Sequence, residues 1–225
     1  GKEIVKVFLE QGCEVYGLCS KPSASKDELT QYALENNTKF TEICADCGNA
    51  EEVTSVVKEA LSISGGFDIL INNAGITRDG LSFRMKLEDW NDVLRVNLTS
   101  AFLISQIVSN DMIRKRSGSI INMTSIVGIH GQGGQVNYSA SKAGLINLTK
   151  SLALELTNSK VYAICPNWVN TESIREANFD YIKEEMNRVG QKKLIEPNEV
   201  ANKVINLIDS NLKSGSIIVM EGKYD

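Results

Sequence analysis

Two side chains in the run "NYSASK" stand at a spacing that does chemistry. Tyr138 and Lys142 are four residues apart, so on a helix both project from one face. An ammonium beside a phenol favours the phenolate and lowers the tyrosine pKa from about 10. That predicts a group able to give and take a proton near neutral pH. The same pair is also a common surface feature of amphipathic helices. The small residues around it, Ser139, Ala140, Ser141 and Ala143, predict open space for something large.

Two more stretches end in polar or small residues. "NNAG", Asn72 to Gly75, follows the apolar run "FDILI". Alanine and glycine there let a flat ligand approach the backbone closely, though Asn and Gly also make ordinary turns. Thr124 and Ser125 follow "GSIINM" and place hydroxyls where that run stops.

Other chemistries find less support. "CADC" spaces Cys44 and Cys47 as half a zinc site or a redox pair. A zinc site wants a second pair or nearby histidines, and the chain has one histidine, His130. No metal is therefore expected, and a Ser-His-Asp arrangement is equally weakened. Five scattered cysteines are an odd number, which argues for reduced thiols in a cytosol-like compartment. The net charge of −4 with interspersed signs carries neither a nucleic-acid footprint nor a polybasic membrane patch. No run of about 20 apolar residues predicts a membrane span.

The elements that must position these residues alternate. Strands are predicted at "CEVYGL", "KFTEIC", "FDILINN", "GSIINMT", "KVYAICP" and "GSIIVM". Helices are predicted near the start, with Ile4, Val5, Phe8 and Leu9 on one face and Gly12 as the stop. Others are predicted over Asp27 to Glu35, Ala50 to Ser62, Glu88 to Arg114, Gln135 to Thr157 and Asn198 to Asp209. Apolar strands alternating with amphipathic helices make a parallel sheet covered on both faces. Right-handed crossovers then give a doubly wound, Rossmann-like α/β sheet, with ligands beyond the carboxyl ends of the strands. The 225 residues, 42% apolar, suit one domain over 1–225.

Together the three stretches resemble the short-chain dehydrogenase/reductase family. That family carries a Tyr-x-x-x-Lys pair, a serine thirteen residues before the tyrosine, and NNAG after its fourth strand. "VNLTSAF" supplies the family's helix asparagine as Asn97, and "CPNWVNT" fills the place of its Pro-Gly-x-x-x-Thr loop. The family opens with a strand and a TGxxxGxG turn, and Gly1 resembles the last glycine of that turn. The first strand and most of the phosphate loop are thus expected before the sequence given. "NNAGITRDGLSFRMKLEDWNDVLRVNLTSAF" and "SIVGIHGQGGQVNYSASKAG" resemble the 3-oxoacyl-[acyl-carrier-protein] reductases of fatty-acid synthesis in particular.

The resemblance implies an NADPH-dependent reductase. Tyr138 would protonate the developing alkoxide and Ser125 would hydrogen-bond the same oxygen. Lys142 would lower the Tyr138 pKa and bind the nicotinamide ribose, and Asn97 would hold a water linking Lys142 to solvent. Gly1 would open the helix that faces the pyrophosphate. Ser20 and Lys21 stand where NAD-using members place an Asp, so they would meet a 2′-phosphate. Asp46 and Cys47 would contact adenine. Asn73, Ala74 and Gly75 would line the ribose and nicotinamide, and Val169 and Thr171 would hold the carboxamide. Arg116 matches a basic residue used to dock the acidic carrier protein; a cation at a helix C-terminus is its other reading. The family's homotetramers, built across the helices of Asn97 and Tyr138, are expected too. The expected compartment is the cytoplasm; residues before Gly1 would decide on a plastid or mitochondrial leader.

Some stretches depart from the family. Asn167 replaces the loop glycine, a position asparagine tolerates at φ > 0. The segment Ser173 to Ile195 is expected to be the substrate lid. "MEGKYD" ends the chain where the family tends to have a Gly-Gly pair. Three functions stay open: a carrier-protein reductase, a reductase acting on a CoA thioester such as acetoacetyl-CoA or on a small ketone, and a non-catalytic dinucleotide-binding scaffold.

Overall fold

The computed structural model describes residues 1–176 and 179–220. Six strands lie among them: β1 (Val15–Cys19), β2 (Phe40–Cys44), β3 (Ile69–Asn72), β4 (Ser119–Met123), β5 (Lys160–Pro166) and β6 (Ile217–Met220). Every pairing is parallel. β3, β4, β5 and β6 form one sheet in that order, and β1 pairs with β2 in another. β1 meets the chain that leads into β3 through side chains: the Tyr16 ring stands edge-on to Phe67 at 5.3 Å. Cys13 and Val15 also pack on the same core as Ile69 and Ile71. β4 is buried along its whole length, whereas β1 is half-buried throughout.

The helices cover both faces. α1 (Lys2–Glu10), α2 (Lys26–Glu35), α3 (Ala50–Ser64), α4 (Leu87–Leu94) and α5 (Ser100–Lys115) come first. The one-turn α6 (Val127–His130), α7 (Val136–Glu155), α8 (Glu172–Arg175), α9 (Phe179–Arg188) and α10 (Pro197–Ile208) follow. One core layer sets Ile121, Met123, Tyr162 and Ile164 of the central strands against Ile4 and Phe8 of α1 and Val204 and Leu207 of α10. The opposite layer sets Ile120 and Val161 against Val53 and Val57 of α3 and Val108 and Met112 of α5. Neighbours along a strand point to opposite faces, and the result is the expected doubly wound parallel α/β sheet.

Local signals explain the helix ends. Gly12, at φ +76°, turns the chain after α1. Asn49 caps α3, its Oδ1 accepting the N–H groups of Glu51 and Glu52. α5 ends in a Schellman pattern, Arg116 N–H to Ile113 carbonyl and Ser117 N–H to Met112 carbonyl. The left-handed position of that motif falls on Arg116, at φ +53°. The helix predicted over Glu88 to Arg114 differs in form: a π-turn, Arg95–Thr99, joins α4 to α5.

A buried polar chain crosses the layer under α5 and α7. Asn72 Nδ2 donates to Ser105 Oγ at 3.0 Å and to Asn122 Oδ1 at 2.8 Å. Asn122 Nδ2 donates to Thr149 Oγ1 at 2.8 Å, and that hydroxyl donates to the Leu145 carbonyl. Every member finds a partner, which is what burial of polar groups requires.

Candidate active site

The C-terminal ends of β3 and β4 face the N-terminal half of α7, and the chemistry collects there. Ser125 follows β4, its hydroxyl accepts the Val127 N–H at 3.3 Å, and it lies near enough to the phenol of Tyr138 to act on its pKa. The Ser125 turn is held close by Gly128. A Cβ there would come within 2.7 Å of the Lys142 carbonyl carbon and 2.9 Å of the Ala143 nitrogen. Only glycine lets α6 and α7 approach so nearly.

Lys142 is 4% exposed, and its ammonium donates to the Met123 carbonyl at 2.9 Å. It stands 5.5 Å from the centre of the Tyr138 ring. Burial strips water from the ammonium and pulls its pKa down to about 8, the Cys165 thiol opposing weakly. Burial also pushes the Tyr138 phenol up, with the Ser125 hydroxyl acting against it and Asp79 reinforcing it. This corrects the expected direction: the pair alone does not lower the tyrosine pKa. Lys142 faces the ring and a carbonyl, and both groups lose solvent together.

Asn97 sits in the π-turn and is buried. Its Oδ1 accepts the Ile76 N–H at 2.8 Å, and its Nδ2 donates to the Ile76 carbonyl and to Ser141 Oγ. Both ends of the amide are engaged by protein, and Oδ1, with one accepted bond, keeps a second lone pair. The amide clamps the chain after NNAG to α7. A Cβ on Gly75 would lie 3.4 Å from Lys142 Nζ and 3.5 Å from Asn97 Oδ1. One of the small residues predicted to leave space is used for packing and hydrogen bonding. Ser141 is fully buried and bridges Asn97 to the Tyr138 carbonyl. Gly144 lies so near Leu98 that a Cβ would approach within 2.7 Å.

The cofactor residues read from sequence stand at successive strand ends. Gly1 precedes α1, and a Cβ there would lie 3.2 Å from Asn73 Nδ2. Asn73, Ala74 and Gly75 are exposed after β3, and Ser20 and Lys21 are exposed after β1. Asp46 and Cys47 follow β2; Asp46 Oδ1 accepts the Gly48 N–H, while Cys47 is buried. Val169 bridges Ile195, and the Thr171 N–H bonds the Val169 carbonyl. The structure thus joins Ser125, Tyr138, Lys142, Asn97 and Gly75 through direct neighbours. It leaves Ser20, Lys21, Asp46, Val169 and Thr171 along the rim.

Other expectations resolve differently. Asn167 is buried and does not adopt positive φ, so it needs no glycine-like freedom. The predicted lid contains α8 and α9; residues 177 and 178 within it, and the chain end at 221–225, lie outside the described residues. The lid is stitched at its base by Gln191. Its Nε2 donates to the carbonyls of Trp168 and Lys193, and its Oε1 accepts the Trp168 N–H. Sequence reading missed Gln191, which no periodicity or motif marks. It also missed Asn137, whose Nδ2 donates to the Arg78 and Asp89 carbonyls. Its place beside Tyr138 was the only signal. Cys44 lies 3.7 Å from Cys19 of the neighbouring strand, sulfur to sulfur. No hydrogen bond joins it to Cys47 among the described residues.

A sequence model of the short chain dehydrogenases matches residues 1–181. The chain belongs to this family. Among similar proteins, the 3-oxoacyl-[acyl-carrier-protein] reductase of Vibrio cholerae is 37% identical over 206 residues, 91% of this chain and 83% of that protein. That of Synechocystis sp. is 38% identical over 208 residues, covering 91% and 82%. That of Staphylococcus epidermidis is 36% identical over 229 residues, covering 99% and 93%. Membership gives the Ser125–Tyr138–Lys142 cluster a dinucleotide to work beside. The strand-end rim, with Gly75 bare of a side chain before Lys142, has the shape such a group needs.

Proposed function

We propose that this short-chain dehydrogenase is an NADPH-dependent reductase of 3-oxoacyl thioesters carried on acyl carrier protein. The observation that carries the reading is the hydroxyl pair of Ser125 and Tyr138, with the buried Lys142 ammonium behind it. The names of its relatives supply the substrate class.

The bound dinucleotide supplies the hydride that reduces the 3-keto carbon. Ser125 hydrogen-bonds the ketone oxygen and orients it. Tyr138, with its pKa raised, keeps its proton at neutral pH and gives it to that oxygen as negative charge develops. Lys142 places positive charge beneath the site and binds the nicotinamide ribose hydroxyls. A preorganised charge in a site short of water stabilises the developing alkoxide more than it would in water. Asn97 acts as a positioning residue, fixing Gly75 against Lys142. Ser20 and Lys21 meet the 2′-phosphate, which supports NADPH over NADH. The N-terminus of α1 at Gly1 faces the pyrophosphate. Asp46 and Cys47 border the adenine; Asn73, Ala74 and Gly75 line the ribose and nicotinamide; Val169 and Thr171 hold the carboxamide. Arg116 docks the acidic carrier. Exposed Phe102 on α5 and Leu154 on α7, the latter 82% exposed, support self-association of these helices into a homotetramer. Such a reductase works in the cytoplasm.

The test is the rate of cofactor oxidation with acetoacetyl-carrier protein against acetoacetyl-CoA, each with NADPH and NADH. Preference for the carrier protein and NADPH, lost in Tyr138→Phe, is the expected result. Equal use of the CoA thioester would move the substrate class to free thioesters. Failure of every ketone despite dinucleotide binding would overturn the reading.

A further inference from the structure

A second cluster of reactive groups lies on the same edge of the sheet, where β1 and β2 stop, next in sequence to the rim residues Ser20 and Asp46. The register of this parallel pair sets Gly17 opposite Glu42 and Cys19 opposite Cys44. Glu42 and Cys44 are two apart on β2, so they share a face. Gly17, across from Glu42, has no side chain, and the Phe40 ring fills that place, so that a Cβ there would come within 2.9 Å of it. The Cys19 and Cys44 sulfurs and a Glu42 oxygen all lie within 4.8 Å of one another.

We infer that Cys19, Glu42 and Cys44 form a binding site for a thiophilic divalent cation of the zinc class. The geometry is near closed. Two thiolates on one tetrahedral zinc, each at about 2.3 Å, stand about 3.8 Å apart, and these sulfurs are 3.7 Å apart. The carboxylate closes from at most 4.8 Å to the roughly 3.6 Å of a bound set by a side-chain rotation. Soft sulfur ligands select zinc over magnesium or calcium.

The surroundings fit three protein ligands and one open position. The Glu42 side chain is 3% exposed, and its Oε2 accepts the Ser23 N–H at 3.1 Å. That backbone bond orients the carboxylate in the way supporting partners orient metal ligands. Cys44 is exposed, so the fourth position opens to water. Lys26 faces Glu42 at 4.0 Å, with half of its own side chain in solvent; it swings away when a cation arrives. Binding is a proton exchange: each thiol gives its proton to the buffer and forms a sulfur–metal bond, with no change of oxidation state. Cys47, the partner that spacing alone would choose, is not part of the set.

The experiment is a titration of the metal-free, phosphine-reduced full chain with Co²⁺, followed by displacement with Zn²⁺. Thiolate-to-cobalt charge-transfer absorption saturating at one equivalent, and bleached by zinc, is expected. Cys19→Ser and Cys44→Ser each weaken binding by at least about 10- to 100-fold, the range that loss of even an outer partner costs. Cys47→Ser and Cys13→Ser leave it unchanged. Thermal unfolding guards against misfolded variants: zinc raises the wild-type Tm and that of Cys47→Ser, and does not raise that of the exposed-site variant Cys44→Ser. No charge-transfer band, a band that survives in both Cys19→Ser and Cys44→Ser, or one lost in Cys47→Ser overturns the inference.

Discussion

Replacing Lys142 by methionine tests the electrostatics of the site more sharply than activity alone. The substitution keeps most of the volume and removes the charge. Burial holds the Lys142 pKa at about 8, against about 10.4 in an unfolded chain. The folded state therefore binds the proton more weakly. The cost of holding the ammonium is fully present below pH 8, and it is relieved as pH rises from there through the unfolded value. At 1.36 kcal/mol per pKa unit the cost is about 3 kcal/mol at pH 7 and about 1 kcal/mol at pH 9.5. The variant loses the hydrogen bond to the Met123 carbonyl, which costs about 1–3 kcal/mol at pH 7. Lys142→Met is thus expected to be inactive yet close to wild type in stability at pH 7. Its advantage over wild type shrinks by about 2 kcal/mol between pH 7 and 9.5. Urea unfolding followed by the fluorescence of Trp90 and Trp168 measures both. A stability difference independent of pH would refute the argument, because it would mean that Lys142 titrates no differently in the folded chain.

Tyr138→Phe should lower the reductase rate by about 10²- to 10⁴-fold, the usual worth of a positioned proton donor, while dinucleotide binding by calorimetry changes little. Gly128→Ala should destabilise the chain by about 1–3 kcal/mol and lower activity with it, because the added carbon meets Lys142 and Ala143 backbone rather than a movable side chain; full activity with an unshifted Tm would contradict that contact. Arg116→Gly should raise stability by up to about 1 kcal/mol, since the left-handed conformation costs other residues about 1–2 kcal/mol and glycine returns part of that as chain entropy. The same change should slow turnover of the carrier-protein thioester and spare the CoA thioester; equal loss with both would remove docking as the role of Arg116. Asn122→Ala should cost about 1–3 kcal/mol by leaving Asn72 and Thr149 short of a partner, read from the urea midpoint.

What could be read from the residues alone was mostly what repeats locally. Strands of four to seven apolar residues and their polar ends were legible, and so Ser125, Tyr138, Lys142 and NNAG fell at one edge of the sheet. The π-turn was not, because one extra residue in a helical run leaves the apolar pattern almost unchanged; its effect is to turn Asn97 inward. The pKa direction of Tyr138 was misjudged because spacing shows who is near and not how much water remains. The Cys19–Cys44 pair was hidden by 25 residues of separation, whereas Cys44 and Cys47 caught the eye at three. Strand register decides such pairs, and register is a property of two segments together. Of the small residues along α7 that were read as room for a ligand, Ser141 is taken up by hydrogen bonds to Asn97 and the Tyr138 carbonyl, and the Ala143 backbone meets Gly128.

The amide chain between Asn72 and Asn122 has a further consequence. β3 and β4 are apolar on both faces, so a slip of one residue would still bury hydrophobic side chains, and oiliness alone cannot choose between the alternatives. The paired amides can: a slip turns one of them into a layer with no partner for it. A slip would also move NNAG by about 3.3 Å against Ser125, more than catalysis tolerates. Asn72 and Asn122 therefore act as alignment pins, setting the two strand ends at one height. Swapping both for leucine would leave a chain that folds and buries its core. Its molecules would be divided among registers, and only one of those registers has a site.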